Sequence, residues 1–189
     1  MPPFSFRSFV SICVFTLTAG QALADSETCY DDPTQWMAEN GHLLEGTWVT
    51  QSGAGSLSMG GQSMVLPVQN EAFDAIITWN GGAMEITSTM VQGQFPLTVW
   101  DGPRFNYTPG AESEALGKVP DMDELEILHG CSIRMQPQLH STGTYQEPEG
   151  TVEFNLYLTV QSADHMVGVT KGVLNGGQGV ARRWITFRK

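Results

Sequence analysis

Basic residues are scarce in this sequence. Its 189 residues include 9 Lys and Arg against 20 Asp and Glu, so the formal net charge is −11 at pH 7. A surface with this excess of negative charge repels phosphate backbones and anionic lipid headgroups. The composition therefore argues against nucleic acid as a partner, and it favours a well solvated protein surface.

Long apolar runs are also scarce. The longest one, Phe9 to Leu17, follows a single cation, Arg7, and precedes the small-x-small sequence Ala22-Leu23-Ala24. It is too short to span about 30 Å of hydrocarbon, and no later stretch approaches the roughly 20 apolar residues that a membrane helix needs. The pattern is typical of a secretory signal peptide. We predict cleavage after Ala24, a periplasmic or secreted protein, and no membrane span.

Removal of residues 1–24 would leave one chain of moderate size, residues 25–189. About 165 residues suit a single domain that buries roughly two thirds of its unfolded surface. We predict one domain and a monomer.

Cysteine is limited to three residues, and Cys13 lies in the predicted leader. The remaining pair, Cys29 and Cys131, is an even count for an oxidising compartment. No Cys-x-x-Cys occurs, which argues against thioredoxin-type redox chemistry and haem attachment. We predict one disulfide between Cys29 and Cys131. It would close a loop of about 100 residues, for which the chain-entropy model gives about 4 to 5 kcal/mol.

Motifs for catalysis and metal binding are missing as well. No Gly-x-Ser-x-Gly elbow occurs, and the four histidines form no i, i+4 pair of the zinc-protease type. The acidic residues between Asp121 and Glu126 lack the full ligand loop of a calcium site. The frequent methionines are interpreted as soft apolar packing rather than as copper ligands. We predict no metal and no cofactor, and a role other than catalysis, with an exported enzyme kept as the third possibility.

A short helix is predicted near the start of the mature chain. Asp32 can cap its N-terminus, Pro33 occupies the first helical position, and Gln35 completes a capping box before an Asn-Gly stop. The helix would have two turns at most. Its apolar side chains, Trp36 and Met37, are expected to lie against the end of a larger structure rather than in solvent.

Apolar and polar residues alternate through most of the chain that follows. The alternation is clearest from Val152 to Val160 and is typical of a strand with one buried face. Short turns such as Asn80-Gly81-Gly82 join successive strands and predict antiparallel neighbours. After a first strand over 44–50, strands are predicted at 64–68, 73–79, 83–91, 95–100, 124–135, 139–145, 151–161, 166–174 and 179–187.

Closing such a meander removes exposed strand edges. We therefore predict an all-β fold, an antiparallel up-and-down β-barrel of about eight strands with a short N-terminal helix. A two-sheet sandwich is the alternative. The glycine- and serine-rich stretch Ser52–Ser56 lacks the lysine and spacing of a P-loop, so we expect a flexible connector there. A looser stretch, residues 104–123, is expected to form a rim loop or lid.

The order of these features resembles the lipocalin and wider calycin pattern. A short helical segment precedes Gly46-Thr47-Trp48, and a meander follows that ends in a strand carrying Arg182 and Arg183. The resemblance is to an outlying bacterial lipocalin-like protein. It implies a cup-shaped interior open at one end, with Trp48 on the floor behind a turn at Gly46 and a cationic side chain crossing the indole.

Strand alternation then selects between the two arginines. Arg183 shares a face with Ile185 and Phe187, whereas Arg182 shares a face with Trp184. We predict that Arg183 lies over Trp48, where a cation–π contact is worth about 0.5 to 2 kcal/mol. In the alternative, both arginines are ordinary solvated surface residues.

The predicted function is binding of a small apolar or amphipathic molecule inside the barrel. The alternative is an exported protein-interaction module, an inhibitor or an envelope accessory factor, built on a barrel with a filled core. An interior cavity of at least about 300 Å³ would favour the ligand. The predicted lining residues are Trp48, Ile77, Met84, Ile86, Met90, Phe154, Leu156 and Leu158.

Overall fold

The computed structural model describes residues 29–89, 93–100 and 132–189. The predicted leader, Met90, the predicted rim loop and Cys131 lie outside these residues. Within them, no helix is long and apolar enough to cross a membrane. The helix α1 covers Pro33–Asn40, and 3₁₀ turns cover Gly41–Leu44 and Ile133–Met135. The strands are β1 (Gly46–Met59), β2 (Gln62–Leu66), β3 (Ala72–Asn80), β4 (Ala83–Ser88), β5 (Gln94–Val99), β6 (Gln138–Glu147), β7 (Gly150–Ser162), β8 (His165–Leu174) and β9 (Gly179–Arg188).

The sheet closes because β1 pairs with both β3 and β9. Each strand from β3 to β9 pairs antiparallel with the next, so β1 and β3 to β9 form an eight-strand ring. β2 pairs with the second half of β1, beyond the part that pairs with β3. The structure confirms the predicted closed antiparallel barrel with a short helix, and the sandwich alternative is wrong.

The glycine- and serine-rich stretch Ser52–Ser56 belongs to β1, so the predicted flexible connector is wrong. β1 carries one extra residue opposite β9 here, because Ser52 pairs with Ile185 and Gly55 pairs with Arg183. A Cβ on Gly55 would lie 2.0 Å from the carbonyl oxygen of Arg182. Glycine therefore lets two strands approach at a β-bulge, where sequence composition alone suggests flexibility.

The cap of α1 forms largely as predicted. The Asp32 carboxylate accepts hydrogen bonds from the backbone N–H groups of Thr34 and Gln35, at 2.9 and 3.0 Å. The capping box does not close, because the Gln35 side chain instead donates to the Glu39 carboxylate at 2.8 Å. Met37 is buried, so the helix contributes its apolar face to the barrel end as expected.

The N-terminal segment is tied to the turn that precedes β6. The backbone N–H of Tyr30 donates to the carbonyl of Met135 at 2.7 Å. Because Ile133–Met135 is a 3₁₀ turn, the strand predicted over 124–135 is wrong for these last residues. Cys29 is disulfide-bonded. Since Cys131 lies outside the described residues, its pairing with Cys29 stays a prediction.

Strand register divides the barrel interior into two halves. We call the end next to α1 the floor and the opposite end the rim. The floor half is filled by buried apolar side chains that pack against α1 and the 3₁₀ turn after it. This floor cluster consists of Met37, Leu44, Trp48, Ile77, Met84, Leu97, Leu139, Leu158, Val160, Met166 and Phe187.

Candidate ligand cavity

Trp48 lies at the floor of the barrel and is 0% exposed. Its indole N–H donates to the carbonyl of Leu44 at 2.9 Å, which satisfies the one polar atom of a buried ring. The ring also makes an edge contact with Phe187, with the centroids 6.4 Å apart. Trp48 therefore packs the 3₁₀ turn at the barrel end onto the last strand.

The cation over Trp48 is Lys189, and the prediction of Arg183 is wrong. The Lys189 ammonium lies 4.9 Å from the indole centroid and donates to the carbonyls of Leu43 and Glu45. The cause is register: β1 and β9 are antiparallel and Val49 pairs with Arg188, which places residue 189 opposite Trp48. Arg183 lies about 20 Å further along β9 at the usual strand rise.

Burial and nearby carboxylates have opposite effects on the pKa of the Lys189 ammonium. Burial lowers the pKa of Lys189, and the carboxylates of Asp164 and Glu45 oppose that shift. The backbone of Gly46, with φ of +129°, passes close by, and a Cβ there would lie 3.7 Å from the Lys189 side chain. Glycine thus permits a left-handed turn beside the crossing cation.

The rim half of the barrel contains a cavity of about 250 Å³. Its wall is mainly apolar and comes from all eight strands of the ring. Phe95 and Phe154 meet edge to face there, with the ring centroids 4.7 Å apart. The other apolar side chains lining the cavity are Phe73, Ala75, Ile86, Leu156, Ala181, Ile185 and Phe187.

Gly143 makes room for the aromatic part of this wall. A Cβ at this position would lie 2.3 Å from the ring of Phe95 and 2.9 Å from the ring of Phe154. Because Gly143 pairs with Phe154 across β6 and β7, its missing side chain leaves the space that Phe95 occupies. The glycine therefore positions the aromatic pair against the cavity.

The polar side chains at the cavity include Arg183, Thr170 and Tyr145. Arg183 and Thr170 are direct cross-strand partners on the inward face. The guanidinium donates from Nη1 to the carbonyls of Gly53 and Pro67, at 3.1 and 2.9 Å. Burial lowers the pKa of Arg183, which remains a cation at neutral pH. Ser52, Ser88 and Lys171 complete the polar set.

Tyr145 supplies a neutral hydroxyl to the cavity. Burial raises the pKa of Tyr145, and the Glu147 carboxylate raises it further. Its ring packs against Phe154 with the centroids 6.1 Å apart, which continues the aromatic wall. At neutral pH the phenol is therefore available as a hydrogen-bond donor or acceptor.

Three of the residues predicted to line the ligand site do line this cavity: Ile86, Phe154 and Leu156. Four others fill the floor cluster instead, so their assignment to the cavity is wrong, and Met90 lies outside the described residues. The reason is that apolar side chains of α1 and the 3₁₀ turn pack against these residues and leave no space for a ligand in the floor half. The four residues of the floor cluster are Trp48, Ile77, Met84 and Leu158.

Sequence reasoning missed several cavity residues that lie on correctly predicted strands. Phe73 and Phe95 alternate in phase with apolar neighbours on β3 and β5, and Ile185 shares the inward face of β9. The alternation was sufficient to find them. The alternation does not show which residues of each strand lie at the rim end of the barrel.

No histidine, aspartate or glutamate is among the described residues that line the cavity. In residues 29–89, 93–100 and 132–189, no three His, Cys, Asp or Glu side chains come together as metal ligands would. His140 lies on the barrel wall, where its Nε2 forms a hydrogen bond with the amide oxygen of Asn155 at 3.1 Å. The described lining offers apolar contact, hydroxyl groups and the basic residues Arg183 and Lys171.

No protein-family model, curated protein or solved structure matches this chain. The closed eight-strand barrel with one short helix has a lipocalin-like shape.

Proposed function

We propose that this chain is an exported binding protein that holds a small apolar or amphipathic molecule in the rim half of its barrel. The observation that carries the proposal is the cavity of about 250 Å³ with aromatic and aliphatic walls. Empty space of this kind costs packing energy, since its lining loses dispersion contacts. A ligand that fills the space recovers those contacts.

Cavity size limits the ligand. The volume of about 250 Å³ is smaller than the 300 Å³ expected from the sequence for a ligand site. An engineered apolar cavity of about 150 Å³ holds benzene, so this cavity suits a molecule of about ten non-hydrogen atoms. We therefore propose a medium-chain aliphatic or monocyclic compound. Elongated isoprenoids and tetrapyrroles are too large for this cavity.

Weak binding follows from this size. Small ligands gain between about 0.3 and 1.5 kcal/mol per non-hydrogen atom, with larger ligands at the lower end. Ten atoms near the lower end give a Kd on the order of 0.1 to 10 mM. Such an affinity suits a molecule that is captured and released rather than retained.

Two further features support the wider proposal of an exported lipocalin-like carrier. Residues 1–24 have the charge, apolar core and small-x-small ending of a secretory leader. The barrel shares the general architecture of the lipocalins, including a tryptophan near the start of the first strand under a crossing cation. Membership of that family is part of the proposal.

Cavity filling tests the proposal. Ala181 points into the cavity, whereas the side chain of its neighbour Val180 points to the outer face of β9. We expect 1-octanol, titrated by calorimetry, to bind the wild-type protein and the Val180→Phe variant, but not the Ala181→Phe variant. Both variants should melt cooperatively. Equal binding by all three proteins would place octanol elsewhere and contradict the proposal.

The alternative is an exported protein-interaction module with a filled barrel. The packed floor half favours it, because that half has the solid core that such a module needs. Absence of binding by octanol and by a panel of monocyclic and medium-chain compounds would favour this alternative over the carrier.

A further inference from the structure

Arg183 is a cation directed into an apolar cavity. It lies on the inward face of β9, between Ala181 and Ile185, and lines the cavity together with Phe154 and Leu156. It is half-buried. A guanidinium in this position faces the volume that a ligand would occupy, beside the apolar side chains that form most of the wall.

The hydrogen bonds of Arg183 hold the guanidinium by one nitrogen. Nη1 donates to the carbonyl oxygens of Gly53, at the bulge of β1, and of Pro67, just after β2. Within the described part of the chain, Nε and Nη2 donate to no protein group. These two nitrogens form one edge of the planar guanidinium, and that edge matches both oxygens of a carboxylate.

Arg183 also lacks an anionic partner among the described residues. The chain has 20 Asp and Glu, yet none of those in the described ranges pairs with this guanidinium. Burial lowers the pKa of Arg183, which indicates that its charge is partly removed from water. A half-buried charge without a counter-ion is costly, and an anion bound in the cavity would offset that cost.

The neighbours of Arg183 separate polar from apolar groups in the cavity. Thr170 is its direct cross-strand partner and adds a hydroxyl on the same face. Below them toward the floor lie Ile185 and Phe187, both buried, on the same face of β9. The arrangement is that of a site for an amphiphile, with the head group toward the rim and the tail toward the floor.

We propose that the cavity selects amphiphiles with a carboxylate head group, such as medium-chain fatty acids, and that Arg183 binds the carboxylate through Nε and Nη2. This inference depends on the proposed function, because it assigns the chemical class of the ligand to the same cavity. It adds that charge at the head group, and not apolar contact alone, determines which molecule is held.

Octanoate and 1-octanol test the inference because they have the same chain and differ in the head group. We expect the wild-type protein to bind octanoate about tenfold more tightly than octanol at neutral pH. A gain in affinity of this size is usual for one hydrogen bond to a charged group. The variant Arg183→Gln should lose this preference and bind the two probes equally. Arg182→Gln is the matched control, because Arg182 is exposed on the outer face of β9 and should leave the preference intact.

A second measurement keeps the test decisive if loss of the Gly53 and Pro67 hydrogen bonds loosens the barrel. The carboxyl pKa of ¹³C-labelled octanoate can be followed by NMR in the complex with the wild-type protein. We expect it to lie below the pKa of free octanoate, because a neighbouring cation stabilises the carboxylate. A variant that keeps the positive charge, Arg183→Lys, should retain much of this shift.

The outcomes separate the two proposals. If neither probe binds, the carrier function itself is wrong. If octanol binds as tightly as octanoate, and the carboxyl pKa of bound octanoate equals that of the free acid, then the carrier function stands and the carboxylate proposal is overturned. A preference for octanoate that persists in Arg183→Gln would also overturn it, because another group would then recognise the head group.

Discussion

Lys189 closes the barrel floor with a single side chain. Its ammonium donates to two carbonyls of the segment that leads into β1 and lies over the Trp48 ring. The last residue of the chain thereby holds the start of the first strand. A lysine that is partly exposed still contributes here, since the carbonyls and the indole face are fixed by the fold.

Replacement of Lys189 by methionine should therefore destabilise the protein. We expect a loss of about 1 kcal/mol in the free energy of unfolding, the usual magnitude of an exposed cation–π contact with its hydrogen bonds. Urea unfolding followed by tryptophan fluorescence measures it. Arg188→Met is the control, because Arg188 is exposed, and it should have little effect. Equal losses in the two variants would contradict the assignment of Lys189 to the floor.

Tyr145 should make stability depend on pH above its ordinary titration range. Its pKa is raised by burial and by Glu147, so between 10.0 and the folded-state pKa the folded protein binds more protons than the unfolded chain. Stability should then fall as the pH rises above 10.0. A spectrophotometric titration of the four tyrosines should show a late phase that Tyr145→Phe removes. A late phase that survives in the variant would contradict this assignment.

The element that gives the barrel its two halves is β1. Its first half pairs with β3 and its second half with β2, while β9 pairs with it on the other side from Val49 to Met59. The bulge between Ser52 and Gly55 lies at the change of partner. Bulges of this kind increase the local twist, and a long strand needs that twist to stay in a closed ring.

Gly55→Ala should be strongly destabilising. The new methyl group would meet the backbone oxygen of Arg182, which cannot move without breaking the pairing of β1 and β9. We expect a loss of about 2 to 3 kcal/mol, the usual cost of overpacking. Gly179→Ala is the control, since the nearest atom there is the mobile end of the Met59 side chain, 3.2 Å away. Similar unfolding free energies for the two variants would contradict the role of the bulge.

Strand positions were predictable because alternation is a local signal. Because side chains alternate between the two faces of a strand, the sequence correctly placed Arg183 on the inward face of its strand and Phe154 and Leu156 in the interior. It did not give the height of any residue in the barrel, because height depends on register between strands distant in sequence. For this reason the sequence predicted Arg183 over Trp48, where the structure places Lys189.

The division into a packed floor and an open rim was equally hidden from the sequence. Ile77 and Ile86 are both buried, apolar and inward on neighbouring strands, and they pair directly. Only Ile86 lines the cavity. Whether space remains beside such a residue depends on how α1 and the 3₁₀ turn pack against the barrel end, and no local pattern encodes that packing.

At the scale of the whole molecule, the proposed leader and disulfide belong together. A chain exported to an oxidising compartment can keep a disulfide that a cytosolic chain would lose. We expect the exported protein to begin at Asp25 and to contain no free thiol when unfolded without reductant, which intact mass spectrometry with alkylation decides. A retained leader or two alkylated cysteines would contradict export or the Cys29–Cys131 bridge, respectively.

The central claim is that a small molecule occupies the rim half of the barrel and leaves the floor unchanged. Isoleucine methyl NMR during titration with 1-octanol tests it directly, because Ile86 and Ile185 line the cavity whereas Ile77 lies in the floor cluster. We predict saturable shifts for the methyl groups of Ile86 and Ile185, with the Ile77 signals nearly unmoved. Unshifted cavity methyl groups up to the solubility limit of octanol, or shifts confined to exposed Ile76, would contradict the account.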